Sequence, residues 1–344
     1  MAGHIVVVGS GGRLGAALKR CWIRQGERVT GLDRAAMDLA DPLQIRAVLG
    51  SVLDGSKAAG SYAGPPVEGG DLREKLYPRI ALEGSGKHAS APEDEDRGER
   101  QCLVVNCAAL TDVDRCEREP ELAMRINAEA PETMAEVCSR HGARLVHIST
   151  DYVFDGHQRA LYREEDLAAP VSTYGVSKLA GEKAVLQSSE ENWVARVSWV
   201  FGPDRPSFVD AILKRALEGQ ELSAVADKYA SPTFTLDAAR WLYALLWKTE
   251  AGGVIHLCNS GSCSWQEYGQ HAIDCAVSAG VHLESKKVAP IRMADLKAFI
   301  ARRPVYSAMD TSKLGQMTGL GVRSWQEAVE DYVRNSWAPA VGRR

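Results

Sequence analysis

The chain has 344 residues, 45% of them hydrophobic and 25% charged, a composition that can bury a full core and is long enough for a nucleotide-binding domain plus a second lobe. Its formal net charge of -4 argues against an electrostatic nucleic-acid binder, and no apolar run approaches the roughly 20 residues that cross a bilayer. The opening Met1-Ala2-Gly3-His4 lacks the basic and long apolar regions of a secretory signal, and the eight cysteines show no Cys-x-x-Cys spacing, so the expectation is a cytoplasmic protein with reduced thiols and no metal site.

Residues 5–8 form a continuous apolar run, followed at once by Gly9-Ser10-Gly11-Gly12-Arg13-Leu14-Gly15 and a helical pattern through Leu18 and Trp22. The spacing predicts strand, glycine-rich turn and helix. Missing side chains at Gly9, Gly12 and Gly15 allow a tight turn and let backbone N–H groups approach a pyrophosphate at the positive end of the helix. Gly11, Arg13 and Leu14 complete the loop that would touch a dinucleotide. The next apolar run, 29–32, ends in Asp33-Arg34, about 20 residues past the loop, where an acidic side chain hydrogen-bonds the adenosine ribose. Asp33 favours NAD and Arg34 could embrace a 2′-phosphate, so NADPH and NADH are both expected cofactors. Asp38 and Leu39 are placed to flank the adenine.

From 54 to 100 the chain is rich in Gly, Pro, Ser and charge and poor in apolar anchors, and it reads as a flexible surface insertion. The apolar rhythm returns at 103–105 and closes in Asn106-Cys107-Ala108-Ala109, where Cys107, Ala108 and Ala109 are small enough for a cofactor to pass closely. The run 145–148 ends in Ser149-Thr150-Asp151, which puts hydroxyls at the carboxyl edge where open α/β sheets bind ligands. Tyr174 has a lysine four residues later, Lys178, on the same face of a predicted helix. An ammonium there would stabilise a phenolate, letting Tyr174 pass its proton to a carbonyl oxygen as hydride reaches carbon. Thr150 can orient that carbonyl, and Lys178 can hold the nicotinamide ribose.

With the run 194–197, short buried strands alternate with helices, which predicts an α/β fold: a Rossmann-type doubly wound parallel sheet with a smaller α/β C-terminal substrate lobe. The expected division is 1–170 for an NAD(P)-binding domain and 171–337 mostly for the substrate lobe. Segments at about 190–200 and 234–257 are expected to return to the first domain.

On these residues the chain resembles the extended short-chain dehydrogenase/reductases and, within them, the dTDP-4-dehydrorhamnose reductase family. The resemblance is carried by Asn106-Cys107-Ala108-Ala109-Leu110-Thr111-Asp112-Val113-Asp114, by 147–156 (His-Ile-Ser-Thr-Asp-Tyr-Val-Phe-Asp-Gly), by 174–182, by 196–202, and by Arg303-Pro304 through 310–314. It implies reduction of the 4-keto group of dTDP-4-dehydro-L-rhamnose by NADPH or NADH, with Thr150, Tyr174 and Lys178 as catalytic residues. It also implies that Thr111, Val113 and Asp151 lie at the sugar, that Trp199 offers a ring to sugar or base, and that Arg303 stands near the nucleotide diphosphate.

The sequence departs from the family in the length of the 54–100 insertion and in Ala230, where a glycine is usual. Gly15-Ala16-Ala17-Leu18 also stands where some relatives carry a glutamate that binds magnesium between subunits. No metal is therefore expected, and a homodimer stays open. Two alternatives also stay open: a reductase or epimerase of another nucleotide-linked ketosugar, and a non-catalytic NADP-binding subunit resembling the methionine adenosyltransferase β subunit.

Overall fold

Five of the apolar runs become strands β1 (His4–Val8), β2 (Arg28–Leu32), β3 (Leu103–Asn106), β4 (Arg144–Thr150) and β5 (Trp193–Val197). The computed structural model describes residues 4–58, 102–248, 251–296 and 299–342. Together with β6 (Gly253–His256) these strands form one parallel sheet in the order β6-β5-β4-β3-β1-β2. Both faces of such a sheet are covered, so its strands need apolar residues at nearly every position, and β1, β3 and β5 are buried along their whole length.

On one face lie α1 (Arg13–Arg24) and the helix Thr235–Lys248, joined through Ile5, Val7, Leu18, Trp193 and Leu242. Trp22 is fully buried there, and its Nε1 donates to the Ala239 carbonyl at 3.1 Å. On the other face lie α2 (Pro42–Ala58), the helix Ala130–His141 and the helix Thr173–Ser188, packed through Leu49, Met134 and Val185 on Val6, Val104 and Val194. Because α2 runs to Ala58, residues 54–58, expected in the insertion, are helical instead. A regular helix needs only continued backbone pairing, which the Gly- and Ser-containing sequence there allows. Residues 59–100 of the expected insertion lie outside the described residues.

The chain reverses its direction of travel across the sheet between β1 and β3, whose register pairs Ile5 with Leu103 and Val8 with Asn106. A crevice opens at the carboxyl ends of strands at such a point. Beyond β5, Val200–Phe201 pairs with Thr233–Phe234, and Leu222–Val225 pairs with Val288–Ile291. The helices Phe208–Leu217, Trp265–Ser278 and Trp325–Tyr332 close around Phe201, Ile212, Tyr268 and Trp325 as a second apolar cluster. Residues 193–197, 235–248 and 253–256, by contrast, contribute to the sheet and its helical layer.

Candidate active site

The turn after β1 is fixed by close backbone approaches. Gly9 has φ +76°, and a Cβ on it would lie 2.8 Å from the Ala108 nitrogen; one on Gly15 would lie 2.4 Å from the Gly9 carbonyl oxygen. Neither position admits a larger residue without moving the loop. The Gly9 and Ser10 N–H groups both donate to the Leu32 carbonyl, at 2.7 and 3.1 Å, which draws the loop over the end of β2. Helix α1 begins at Gly12 with no side-chain cap and no acidic residue in its first turn. Its leading N–H groups therefore face outward at the positive end of the helix, a setting that suits an anion.

A cavity of about 910 Å³ opens over this turn, within the ~300–1,000 Å³ usual for cofactor sites. Gly9, Gly11, Gly12, Arg13 and Leu14 line its floor, while Gly15 sits beneath the loop and supports it. Asp33, Arg34, Asp38 and Leu39 form one wall, and Cys107, Ala108, Ala109 and Thr111 form another. One Asp33 oxygen caps its own turn, accepting from the Ala35 and Ala36 N–H groups at 3.0 and 3.1 Å. Asp38 does the same for Ala40 at 3.0 Å.

Tyr174 and Lys178 line the far end of the cavity. They belong to the helix Thr173–Ser188, which Ser172 caps by accepting from the Gly175 N–H. Gly175 lets that helix press on the Tyr152 carbonyl, since a Cβ there would be 2.2 Å from it. The Tyr174 ring meets Tyr152 edge-on with centroids 5.5 Å apart, and Val113 packs against the cluster that they form with Cys116 and Ala123. Burial pushes the Tyr174 phenol up from its ordinary value, while a hydrogen bond with Thr150 acts against that shift. Thr150 ends β4, and its hydroxyl lies 3.1 Å from Asp151 Oδ1.

The hydrogen bonds around Lys178 draw it away from a permanent ammonium. Asn106 Oδ1 accepts from the Ala108 N–H at 3.0 Å, which directs Asn106 Nδ2 to His147 Nδ1 at 3.1 Å as donor. A neutral imidazole then carries its proton on Nε2, which faces Lys178 Nζ at 2.9 Å. Lys178 also donates to the Ile148 carbonyl at 2.7 Å, and accepting from His147 shifts it toward the neutral amine. The environment agrees: burial draws Lys178 down to about 7 and His147 well below its usual range. A lysine lowered to about 7 is only partly charged at neutral pH, so less charge faces the phenol than an ordinary ammonium would supply.

Sequence reasoning gave no role to Asn106, His147, Lys228 or Ser307. Ser307 Oγ donates to Asp151 Oδ2 at 2.5 Å. Burial raises the Asp151 carboxyl, and the nearby Lys228 cation opposes this. Lys228 is itself fully buried; it donates to the Pro304 carbonyl at 2.7 Å and lies 5.0 Å from the Tyr152 ring centroid. Burial brings it down to about 8. Asp151 is thus enclosed beside Thr150 rather than open to the cavity.

Two further expected substrate residues are engaged elsewhere. Arg303 is held by Asp114, with Nη2 2.8 Å from Oδ2 and Nη1 3.2 Å from Oδ1, and its guanidinium lies 3.6 Å from the Phe299 ring centroid. A bidentate partner neutralises a cation that was expected to face a diphosphate. Trp199 packs among Trp265 and Tyr268, at 5.5 and 5.9 Å between centroids, and does not line the 910 Å³ cavity.

A nicotinamide-dependent reductase on a Rossmann sheet is the class of protein that this arrangement defines, and comparison with known proteins narrows it. Residues 90–337 match the family described as RmlD substrate binding domain. The chain is 30% identical over 335 residues to the spore coat polysaccharide biosynthesis protein SpsK of Bacillus subtilis, covering 96% of each chain. It is 35% identical over 238 residues to the dTDP-4-dehydrorhamnose reductase of Escherichia coli, covering 68% of this chain and 79% of that one. The crystal structure of dTDP-4-dehydrorhamnose reductase from Bacillus anthracis in complex with NADP superposes with a TM-score of 0.76 at 27% identity, covering 96% of this chain and 99% of the other. The chain belongs to the dTDP-4-dehydrorhamnose reductase family.

Proposed function

We propose that the protein reduces the 4-keto group of dTDP-4-dehydro-L-rhamnose to dTDP-L-rhamnose with NADPH or NADH. The observation that carries this reading is one continuous cavity running from the glycine turn to Tyr174 and Lys178, in a chain of this family. The cradle fits a dinucleotide: Gly9, Gly11 and Gly12 line it without side chains, and the uncapped start of α1 suits its phosphates. When bound, the reduced nicotinamide supplies the hydride.

The chain's own groups do the rest. Thr150 orients the ketone, and Tyr174 donates the proton to its oxygen as hydride reaches the carbon. The buried phenol holds its proton at neutral pH, and only the strongly basic alkoxide that develops on the substrate takes it. Lys178, with Ile148 and His147 satisfied, has one N–H left for a ribose hydroxyl. Residues 1–170 would hold the cofactor, and 171–337 mostly the sugar nucleotide. Among the described residues no helix is long and apolar enough to cross a membrane, and we place the reaction in the cytoplasm.

The test follows consumption of NADPH by its near-ultraviolet absorbance, with dTDP-4-dehydrorhamnose generated in place. Turnover that falls ~10²–10⁴-fold in Tyr174→Phe, with NADPH binding retained, is the expected result. Cofactor binding without turnover on this sugar would overturn the substrate assignment and direct the search to another ketosugar or a regulatory partner.

A further inference from the structure

The loop 203–207 lies between Val200–Phe201 and the helix Phe208–Leu217, far in sequence from the glycine turn, yet it is strapped to it. Arg13 Nε donates to the Arg205 carbonyl at 3.3 Å, and Arg13 Nη2 donates to the Pro206 carbonyl. On the next turns of α1, Arg20 pairs with the buried Asp204 at 2.8 Å. These contacts fix the backbone on both sides of Arg205, whose side chain then projects into the 910 Å³ cavity.

Its guanidinium is aimed at one point. A Cβ placed on Gly11 would lie 3.7 Å from Arg205 Nη2 and 3.9 Å from the Asp33 Cβ. Gly11, Arg205 and Asp33 therefore surround the place where the end of a second Rossmann strand receives the adenosine ribose. Arg34 lines the same wall. Among the described residues no carboxylate pairs with the guanidinium of Arg34 or Arg205, whereas one Asp33 oxygen is spent on two N–H groups of its own turn. Two unpaired planar cations beside one partly engaged carboxylate make a site for a phosphate monoester, because guanidinium donors match phosphate oxygens in pairs.

We propose that Arg205, brought by the 203–207 strap, joins Arg34 in binding the 2′-phosphate of the adenosine ribose, so that the protein prefers NADPH to NADH. The proposal rests on the dinucleotide reading of the cavity. Preference is set partly from outside the first Rossmann half, by a residue that a reading of Asp33-Arg34 alone does not find.

The experiment measures dissociation constants of NADPH and NADH by calorimetry for the wild type, Arg205→Ala, Arg205→Lys and Arg34→Ala, with 2′-AMP and 5′-AMP as competing probes. The expected wild type binds NADPH more tightly than NADH. Arg205→Ala should lose about tenfold for NADPH and for 2′-AMP, while NADH stays within about twofold. Arg205→Lys should recover part of the loss, since it keeps a charge without the fork. Equal losses for NADPH and NADH would overturn the proposal by assigning Arg205 to the pyrophosphate, and so would no loss for either. Retained NADH binding reports that the variant is folded and the cavity intact; a wild type that binds neither cofactor would instead bring down the dinucleotide reading itself.

Discussion

A buried lysine whose titration is lowered has a thermodynamic signature that is independent of catalysis. Lys178 is 1% exposed and drawn down to about 7, whereas a lysine in the unfolded chain titrates near 10.4. Between those values the unfolded chain holds a proton that the folded protein has released, so raising the pH favours the fold. Integrating over about pH 7 to pH 9 gives a gain of about 2 kcal/mol from this one group, with little further change below about pH 6. The titratable groups facing Lys178 do not obscure it. His147 is held neutral, Cys107 is pushed up to about 12, and Glu182 is locked to Arg196 at 2.7 Å. Replacing Lys178 with Met removes the titration while keeping an unbranched side chain. Denaturant titrations of both proteins at about pH 7 and about pH 9 measure the difference directly, because the remaining groups are shared. The wild type should gain about 2 kcal/mol relative to Lys178→Met over that interval. Parallel pH dependence in the two proteins would refute the lowered titration of Lys178 and restore a full ammonium beside Tyr174.

Gly15→Ala should weaken NADPH binding about tenfold or more and lower stability by ~1–3 kcal/mol, read by calorimetry and thermal melting, because the new Cβ meets the backbone oxygen of Gly9. Asp114→Asn should cost about 1–2 kcal/mol at neutral pH, since the carboxylate holds Arg303 and the N–H groups of Ile300 and Ala301. Arg303 keeps that carboxyl down at about 2, so the wild-type advantage is present above about pH 4 and should fade as pH falls toward 2; melting curves across that range check it.

The sheet was legible because its strands are buried on both faces: a parallel strand between helical layers must be apolar throughout, and residues 5–8 and 194–197 could hardly be anything else. Gly9 and Gly15 were legible for a related reason, since only glycine fits where two backbones touch. His147 was hidden in the middle of β4, where a lone polar residue in an apolar run gives no hint of which neighbours it will bond. Its partners come from β3 and from the helix of Tyr174, and only the fold joins them. Arg303 misled because a cation's sequence position does not reveal its partner; Asp114 reaches it from the start of the helix Val113–Arg118. Arg205 was invisible for the same reason, lying nearly two hundred residues from the glycine loop it touches.

The pairing of Ile5 with Leu103 has a consequence for how the molecule is made. The central strands of the sheet cannot meet until roughly a hundred residues of chain lie between them. Halving that separation would change the equilibrium cost of closure by only ~0.6 kcal/mol, so stability places little pressure on the length of the connection. Folding speed is more sensitive, because non-local parallel pairing must lose its chain entropy before the contacts form. On a ribosome, β1 and β2 emerge well before β3, and the edge of β1 that β3 will cover waits for its partner. Shortening the connection would therefore show first in refolding rate and in the yield of soluble protein, and only weakly in the midpoint of unfolding.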